Sequence, residues 1–319
     1  MNQPKINKPN FKKIGSSKRK TVTISQEQLI KLDFLDDHDP LPLLITANVE
    51  GLSLVSWAKT QKELIDQKLL QHGGILFRNF KLNDIPEFAE FIKTIGGNLL
   101  EYSYRSTPRT QVSGNIYTST EYPATQSIPL HNEMSYSRNF PRKIAFYCLQ
   151  SAQQGGETPI ADSRKIFQRI SNQTKELFQQ KQIMYVRNYG NNLDLTWQDV
   201  FQTTEKIEVE NYCHRAGIEF EWKDADCLQT RQICPAVVEH PQTGEAVWFN
   251  QAHLFHISNL DPYVRESILK NYQESELPRN TYYGDGSAIE TAVLAEIREI
   301  YQQESIIFPW REGDILLLD

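Results

Sequence analysis

The sequence predicts a mainly β fold with flanking helices (α+β), a barrel or jelly roll with the helices packed outside it. Three observations carry this expectation. Short apolar, β-type runs recur between loops from about residue 98 to 160 and again from about 183 to 250, as in Ile144-Ala145-Phe146-Tyr147-Cys148-Leu149. Amphipathic helical stretches interrupt them. No internal repeat or low-complexity linker divides the 319 residues, a length that barrel-like folds commonly reach as one domain.

Taken in order, the first 20 residues carry Lys5, Lys8, Lys12, Lys13, Lys18, Arg19 and Lys20 and no acid. Residues 1–22 read as a solvated, disordered leader, with docking of a partner as the alternative, and residues 23–319 as the single folded domain. From Trp57 to Gln71, Leu64, Ile65, Leu69 and Leu70 mark one helical face that stops at Gly73-Gly74. Ile75-Leu76-Phe77 follows as a buried strand. A second helix spans about Asp84 to Ile95, with Pro86 in its first turn and Phe88, Phe91, Ile92 and Ile95 as its stripe. A third starts near Ser163, and a fourth opens at Asp261-Pro262. Ser287 and Glu290 have capping-box spacing ahead of a stripe of Ile289, Val293, Leu294, Ile297 and Ile300. Ile315-Leu316-Leu317-Leu318 reads as a buried strand, expected to leave an unpaired apolar edge.

Composition sets the class. With 39% hydrophobic and 11% aromatic residues the chain is ordinary globular protein. A net charge of −6 argues against general binding to nucleic acid or to an anionic membrane. No apolar run reaches the roughly 18 residues of a membrane helix, and no signal-peptide core precedes the domain. Cys148, Cys213, Cys227 and Cys234 show no C-x-x-C pairing, so the plain reading is a reduced cytoplasmic protein with buried thiols.

The sharpest local feature is Pro129-Leu130-His131-Asn132-Glu133-Met134-Ser135-Tyr136. On a strand, His131 and Glu133 would point to one side, because side chains alternate with period two. An imidazole nitrogen and a carboxylate oxygen could then share a metal, and a second histidine would complete a two-His, one-carboxylate face that leaves positions open on iron(II). The bare pattern is weak, since seven histidines and 40 acids give about one chance H-x-D/E, and this chain has one. The alternative is a His and a Glu in ordinary hydrogen bonds. Further on comes Gln154-Gly155-Gly156-Glu157-Thr158-Pro159-Ile160-Ala161-Asp162-Ser163-Arg164. The Gly pair permits positive φ or close backbone approach, and Thr158 offers a hydroxyl. A plain Gly turn leading to a capped helix is the alternative.

Together these segments resemble the TauD/TfdA superfamily of iron(II)- and 2-oxoglutarate-dependent dioxygenases, and within it the branch of syringomycin-biosynthesis hydroxylases. Gly73-Gly74-Ile75-Leu76-Phe77-Arg78-Asn79-Phe80, Val247-Trp248-Phe249-Asn250-Gln251 and Pro309-Trp310-Arg311-Glu312-Gly313-Asp314 fit the same pattern, so the similarity runs from about residue 45 to 319. The resemblance implies a double-stranded β-helix (jelly-roll, clavaminate synthase-like). It implies iron(II), 2-oxoglutarate and O2 as cofactors, with His131 and Glu133 as the first two iron ligands and Thr158 on 2-oxoglutarate. In the family a distal histidine and a 2-oxoglutarate-binding arginine follow a G-D-x-x-x-x-D stretch, here Gly313 to Asp319, so both are expected beyond Asp319, with C-terminal strands. His253 and His256 are far less expected as substitutes. Halogenating relatives replace the carboxylate, so Glu133 implies hydroxylation. The implied substrate is a small amino-acid-like molecule, free or tethered to a carrier protein, with Tyr117 and Asn250 as pocket residues or, equally, structural ones; a homodimer is possible. A truncated or non-catalytic member, or a desaturase, remains the alternative.

Overall fold

A computed structural model of the chain describes residues 26–36, 39–190 and 194–319, and the expected basic leader lies outside the described residues. The strands in chain order are β1 (Ile30–Asp36), β2 (Asp39–Ala47), β3 (Gly74–Arg78), β4 (Gln111–Ser113), β5 (Ile116–Tyr117), β6 (Ile144–Tyr147) and β7 (Ile183–Tyr189). They continue with β8 (Glu219–Lys223), β9 (Cys227–Cys234), β10 (Val237–Glu239), β11 (Ala246–Trp248), β12 (Arg279–Tyr283) and β13 (Ile315–Leu318). Two sheets organise them. The larger has the order β1-β2-β3-β13-β6, and the other, wholly antiparallel, has the order β12-β7-β9-β8. In the larger sheet β2 and β3 run parallel and the other pairs antiparallel.

The continuous apolar run of β3 is buried along its whole length, as a strand covered on both faces should be. Alternation divides it. Ile75 and Phe77, with Ile315 and Leu317, face a core shared with the helices Leu54–Thr60, Lys62–His72 and Ile85–Gly96. Leu76 and Leu316 face the other way, against Leu41, Ile160 and Phe308. The expected unpaired edge at Ile315–Leu318 is therefore corrected. β13 is an inner strand, with Leu316 opposite Leu76 on one side and Phe146 on the other. Its entry is fixed by Asp314, whose carboxylate takes a two-pronged ion pair from Arg78, Nε to Oδ1 at 2.9 Å and Nη2 to Oδ2 at 2.7 Å.

Helices hold more of the described residues than strands do, so the chain is mixed α/β rather than mainly β. Part of the excess lies in the region expected to be short strands from 183 to 250, which contains the helices Trp197–Phe201 and Lys206–Ala216. Val209, Cys213 and Ala216 are buried at spacings of four and three, a helical stripe that few apolar neighbours announce. The stretch from Trp57 to Gln71 is two helices broken at Gln61, and Gly73 closes the second in the left-handed region at φ 76°. The expected capping box fails. Glu290 is the N-cap of Thr291–Gln303 without a side-chain cap bond, because its carboxylate accepts from the Tyr283 hydroxyl at 3.0 Å. Ser287 is engaged locally with Asp285.

Of the four cysteines, Cys213 and Cys234 are buried while Cys148 and Cys227 are half-buried. Among the described residues no helix is long and apolar enough to cross a membrane.

Candidate active site

Pro129 to Tyr136 is not a strand; it is a loop that runs into a turn at Glu133. The reason lies in Asn132, whose side chain and carbonyl are committed to other groups. Its amide donates to Ser163 Oγ at 2.9 Å, and its side-chain oxygen accepts from the Tyr301 hydroxyl at 3.3 Å. Its carbonyl accepts from Gln251 Nε2 at 2.5 Å and from Ser135 Oγ at 2.9 Å. Met134 then takes φ 56° and reverses the chain. Asn132 is thus pinned toward two helices, and its neighbours His131 and Glu133 are brought together by the turn instead of by strand alternation.

His131 Nε2 and Glu133 Oε2 face each other at 3.8 Å, with side chains 27% and 18% exposed. His131 Nδ1 lies 2.7 Å from the Pro129 carbonyl, which can only accept, so the ring proton sits on Nδ1 and Nε2 presents its lone pair. Burial pushes the imidazole pKa down, but the Glu133 carboxylate and the Pro129 carbonyl outweigh it and the net shift is upward. For Glu133, burial pushes up, while His131 and Arg109 outweigh it and hold the carboxyl below its ordinary value.

This donor set fits a divalent first-row ion. The carboxylate is ionised and the imidazole tautomer is fixed by an outer hydrogen bond; at 3.8 Å one point lies about 2 Å from both atoms only at a wide angle, so the two donors close toward each other to share one face of an ion. Among the described residues no group of three His, Cys, Asp or Glu side chains converges. His253 Nε2 is spent on the Leu130 carbonyl at 3.0 Å and the ring is stacked on Tyr301 at 4.5 Å, while its buried Nδ1 has no partner among the described residues. His256 Nδ1 lies 2.8 Å from Ser258 Oγ.

Glu133, Thr158 and Tyr117 line one cleft of about 1850 Å³, together with Arg109, Tyr102 and Trp310. Gly155 and Gly156 take φ 67° and 76°, and a Cβ on Gly156 would meet Ala152 Cβ at 2.7 Å, so glycine is required there. Thr158 Oγ1 accepts from Trp310 Nε1 at 3.0 Å, which leaves its own hydroxyl proton free to donate. Tyr117 lies beside Tyr102, with ring centroids 5.8 Å apart. Asn250 does not reach the cleft. It is fully buried, donating to the Ala236 carbonyl at 2.9 Å and accepting from Ala252 N at 3.1 Å.

Two cleft residues escape sequence reasoning. Arg109 Nη2 is 3.1 Å from Glu133 Oε2, and its guanidinium lies 5.0 Å from the centre of the Tyr102 ring. Both residues sit in irregular loop, where no periodicity marks which side chains turn inward.

Known proteins match this chain over most of its length. The model of the family described as "Taurine catabolism dioxygenase TauD, TfdA family" matches residues 37–319. The dapdiamide synthesis protein DdaC of Enterobacter agglomerans is 39% identical over 276 residues, covering 86% of this chain and 83% of that protein. A clavaminate synthase-like protein of Arabidopsis thaliana is 30% identical over 276 residues, covering 82% of this chain and 79% of its own. Among solved structures, PvcB of Pseudomonas aeruginosa superposes with a TM-score of 0.51 at 14% identity, covering 93% of this chain and 84% of PvcB. A second PvcB structure, described as an Fe, alpha-ketoglutarate dependent oxygenase from an isonitrile synthetic pathway, gives a TM-score of 0.50 at 14% identity, covering 93% of this chain and 85% of that one. The chain belongs to the TauD/TfdA dioxygenase family.

Proposed function

We propose that this protein is an iron(II)- and 2-oxoglutarate-dependent dioxygenase that hydroxylates a small amino-acid-like molecule in a natural-product pathway, in the branch of the syringomycin-biosynthesis hydroxylases. The observation that carries it is the facing pair His131 Nε2 and Glu133 Oε2, held by the Pro129 carbonyl and the Asn132 anchor, with Glu133 lining a large cleft. Iron(II), when bound with 2-oxoglutarate and O2, supplies the chemistry: one oxygen atom enters a substrate C–H bond, and 2-oxoglutarate leaves as succinate and CO2.

The chain's own residues do the rest. His131 keeps its proton on Nδ1 and offers Nε2; Glu133 offers an ionised oxygen. Thr158, fixed from behind by Trp310, donates its hydroxyl to a 2-oxoglutarate oxygen. Tyr117 walls the substrate side of the cleft, and Asn250 supports the loop after β11 from within the core. The two main sheets, with helices outside them, form the double-stranded β-helix in this reading, and residues 23–319 form one domain. The match to DdaC, a dapdiamide synthesis protein, supports a natural-product role.

The reading is tested by iron-dependent decarboxylation of 2-oxoglutarate. His131→Ala and Glu133→Ala should each abolish it, because each leaves the protein face of the metal incomplete. Undiminished turnover by Glu133→Ala would count against the assignment.

A further inference from the structure

We propose that Arg109 and the hydroxyl of Tyr102 form a carboxylate subsite beside Glu133, so that the substrate is a free acid and not a carrier-protein thioester. The inference rests on the dioxygenase reading above and adds the substrate class to it.

Three observations carry it. Arg109 has five N–H donors, and its recorded polar contact is a single bond, to Glu133 Oε2 at 3.1 Å. Its Nε is sealed from solvent and has no partner among the described residues, and the hydroxyl of Tyr102 is in the same condition. Unpartnered buried polar groups are uncommon because each costs the water it lost, so two on neighbouring residues of one cleft mark where a ligand group belongs. Neither group is placed to satisfy the other, since the guanidinium lies against the Tyr102 ring face.

Charge selects the ligand. A second guanidinium, Arg105, also lies against the Tyr102 ring, at 5.7 Å, and spends its donors on the Tyr102 carbonyl and on Gln202 Oε1, both neutral. Glu133 is the carboxylate in contact with Arg109. Once it shares its charge with a metal ion, two cations remain around one aromatic ring. A carboxylate supplies the charge, and its two oxygens match a guanidinium fork with a phenol beside it. A thioester or an amide offers one neutral carbonyl in place of that charge.

The test uses the protein expressed from its complete gene, loaded anaerobically with iron(II) and 2-oxoglutarate. A panel of free L-amino acids and dicarboxylic acids, each beside its primary amide, and taurine are titrated, and binding is read from the shift of melting temperature. At least one free acid should bind, at least tenfold tighter than its amide. Arg109→Gln should weaken that acid roughly 10- to 100-fold and Tyr102→Phe, which keeps the ring, about tenfold. Arg109→Lys should recover part of the loss, since it restores charge without the fork. In all three variants 2-oxoglutarate titrations should stay at their wild-type values and iron binding should not weaken.

Equal binding of acid and amide overturns the proposal, as does a panel without a binding acid or with taurine alone bound. Arg109→Gln weakening 2-oxoglutarate assigns Arg109 to the co-substrate, and weakening iron alone makes it a positioning residue for Glu133; either overturns it. A wild-type protein that takes up neither iron nor 2-oxoglutarate refutes the dioxygenase reading instead.

Discussion

Removing the carboxylate of Asp314 leaves the guanidinium of Arg78 charged, 8% exposed and without its counter-ion. Two short bonds, at 2.9 and 2.7 Å, vanish together, and so does the acceptor for Arg311 N at 2.9 Å. The pair stands where β3 and β13 leave their ladder, just past the Ile315–Phe77 register. Breaking a buried ion pair from one side costs about 3–5 kcal/mol, because the remaining charge has lost its water and gained nothing. Asp314→Ala should therefore lower the free energy of urea unfolding by about that amount. The double variant Arg78→Met/Asp314→Val removes both charges close to the original total volume, and should recover part of the loss. Both variants are compared with wild type by denaturant midpoints at constant slope, so that a change in the unfolded state is not mistaken for stability. A loss under about 1 kcal/mol for Asp314→Ala, or a double variant as unstable as the single one, would refute the reasoning.

Other expectations follow from the same geometry. Gly156→Ala forces a Cβ to within 2.7 Å of Ala152 at φ 76°, so it should destabilise by more than about 1 kcal/mol and weaken 2-oxoglutarate through Thr158, read by melting and by titration. Asn132→Ala frees the loop between the two metal donors and should weaken iron(II) about 10- to 100-fold without removing a donor; unchanged affinity would contradict the anchor. Burial pushes the His253 pKa down to about 4, so the unfolded chain takes up a proton first as pH falls below about 6.5. His253 should take up to about 3 kcal/mol from stability between pH 6.5 and 4, and since burial holds His256 down to about 4 as well, His253→Gln should reduce the pH dependence of urea midpoints without abolishing it; parallel pH slopes would exclude it. Burial also pushes the thiols of Cys213 and Cys234 up to about 12, so a thiol reagent at pH 8 should label them only on unfolding.

What the sequence made legible was what local pattern controls. The Ile85–Gly96 helix was readable because Asp84 caps it, Pro86 opens it and its stripe repeats at helical spacing. The run Ile75-Leu76-Phe77 was readable as a buried strand because both its faces are apolar. What failed depends on tertiary partners. The inner place of β13 is set by β3 and β6, far away in sequence, and the Ser287–Glu290 spacing lost its capping role to Tyr283. At the candidate site, the H-x-E spacing of His131 and Glu133 was a weak signal that the family resemblance singled out, and their approach comes from a turn pinned through Asn132 to Ser163, Gln251 and Tyr301. Arg109 could not be found that way, since a lone arginine in an irregular loop has no pattern until the fold sets it on Glu133.

The central claim is that His131 and Glu133 hold iron(II) for 2-oxoglutarate. Anaerobic titration of the protein expressed from its complete gene with iron(II) and 2-oxoglutarate, following the visible charge-transfer band of the chelate, tests it most directly. The band should grow to one equivalent of iron and be lost in both His131→Ala and Glu133→Ala. A band of wild-type strength in either variant would contradict the claim, as would a wild-type protein that forms none.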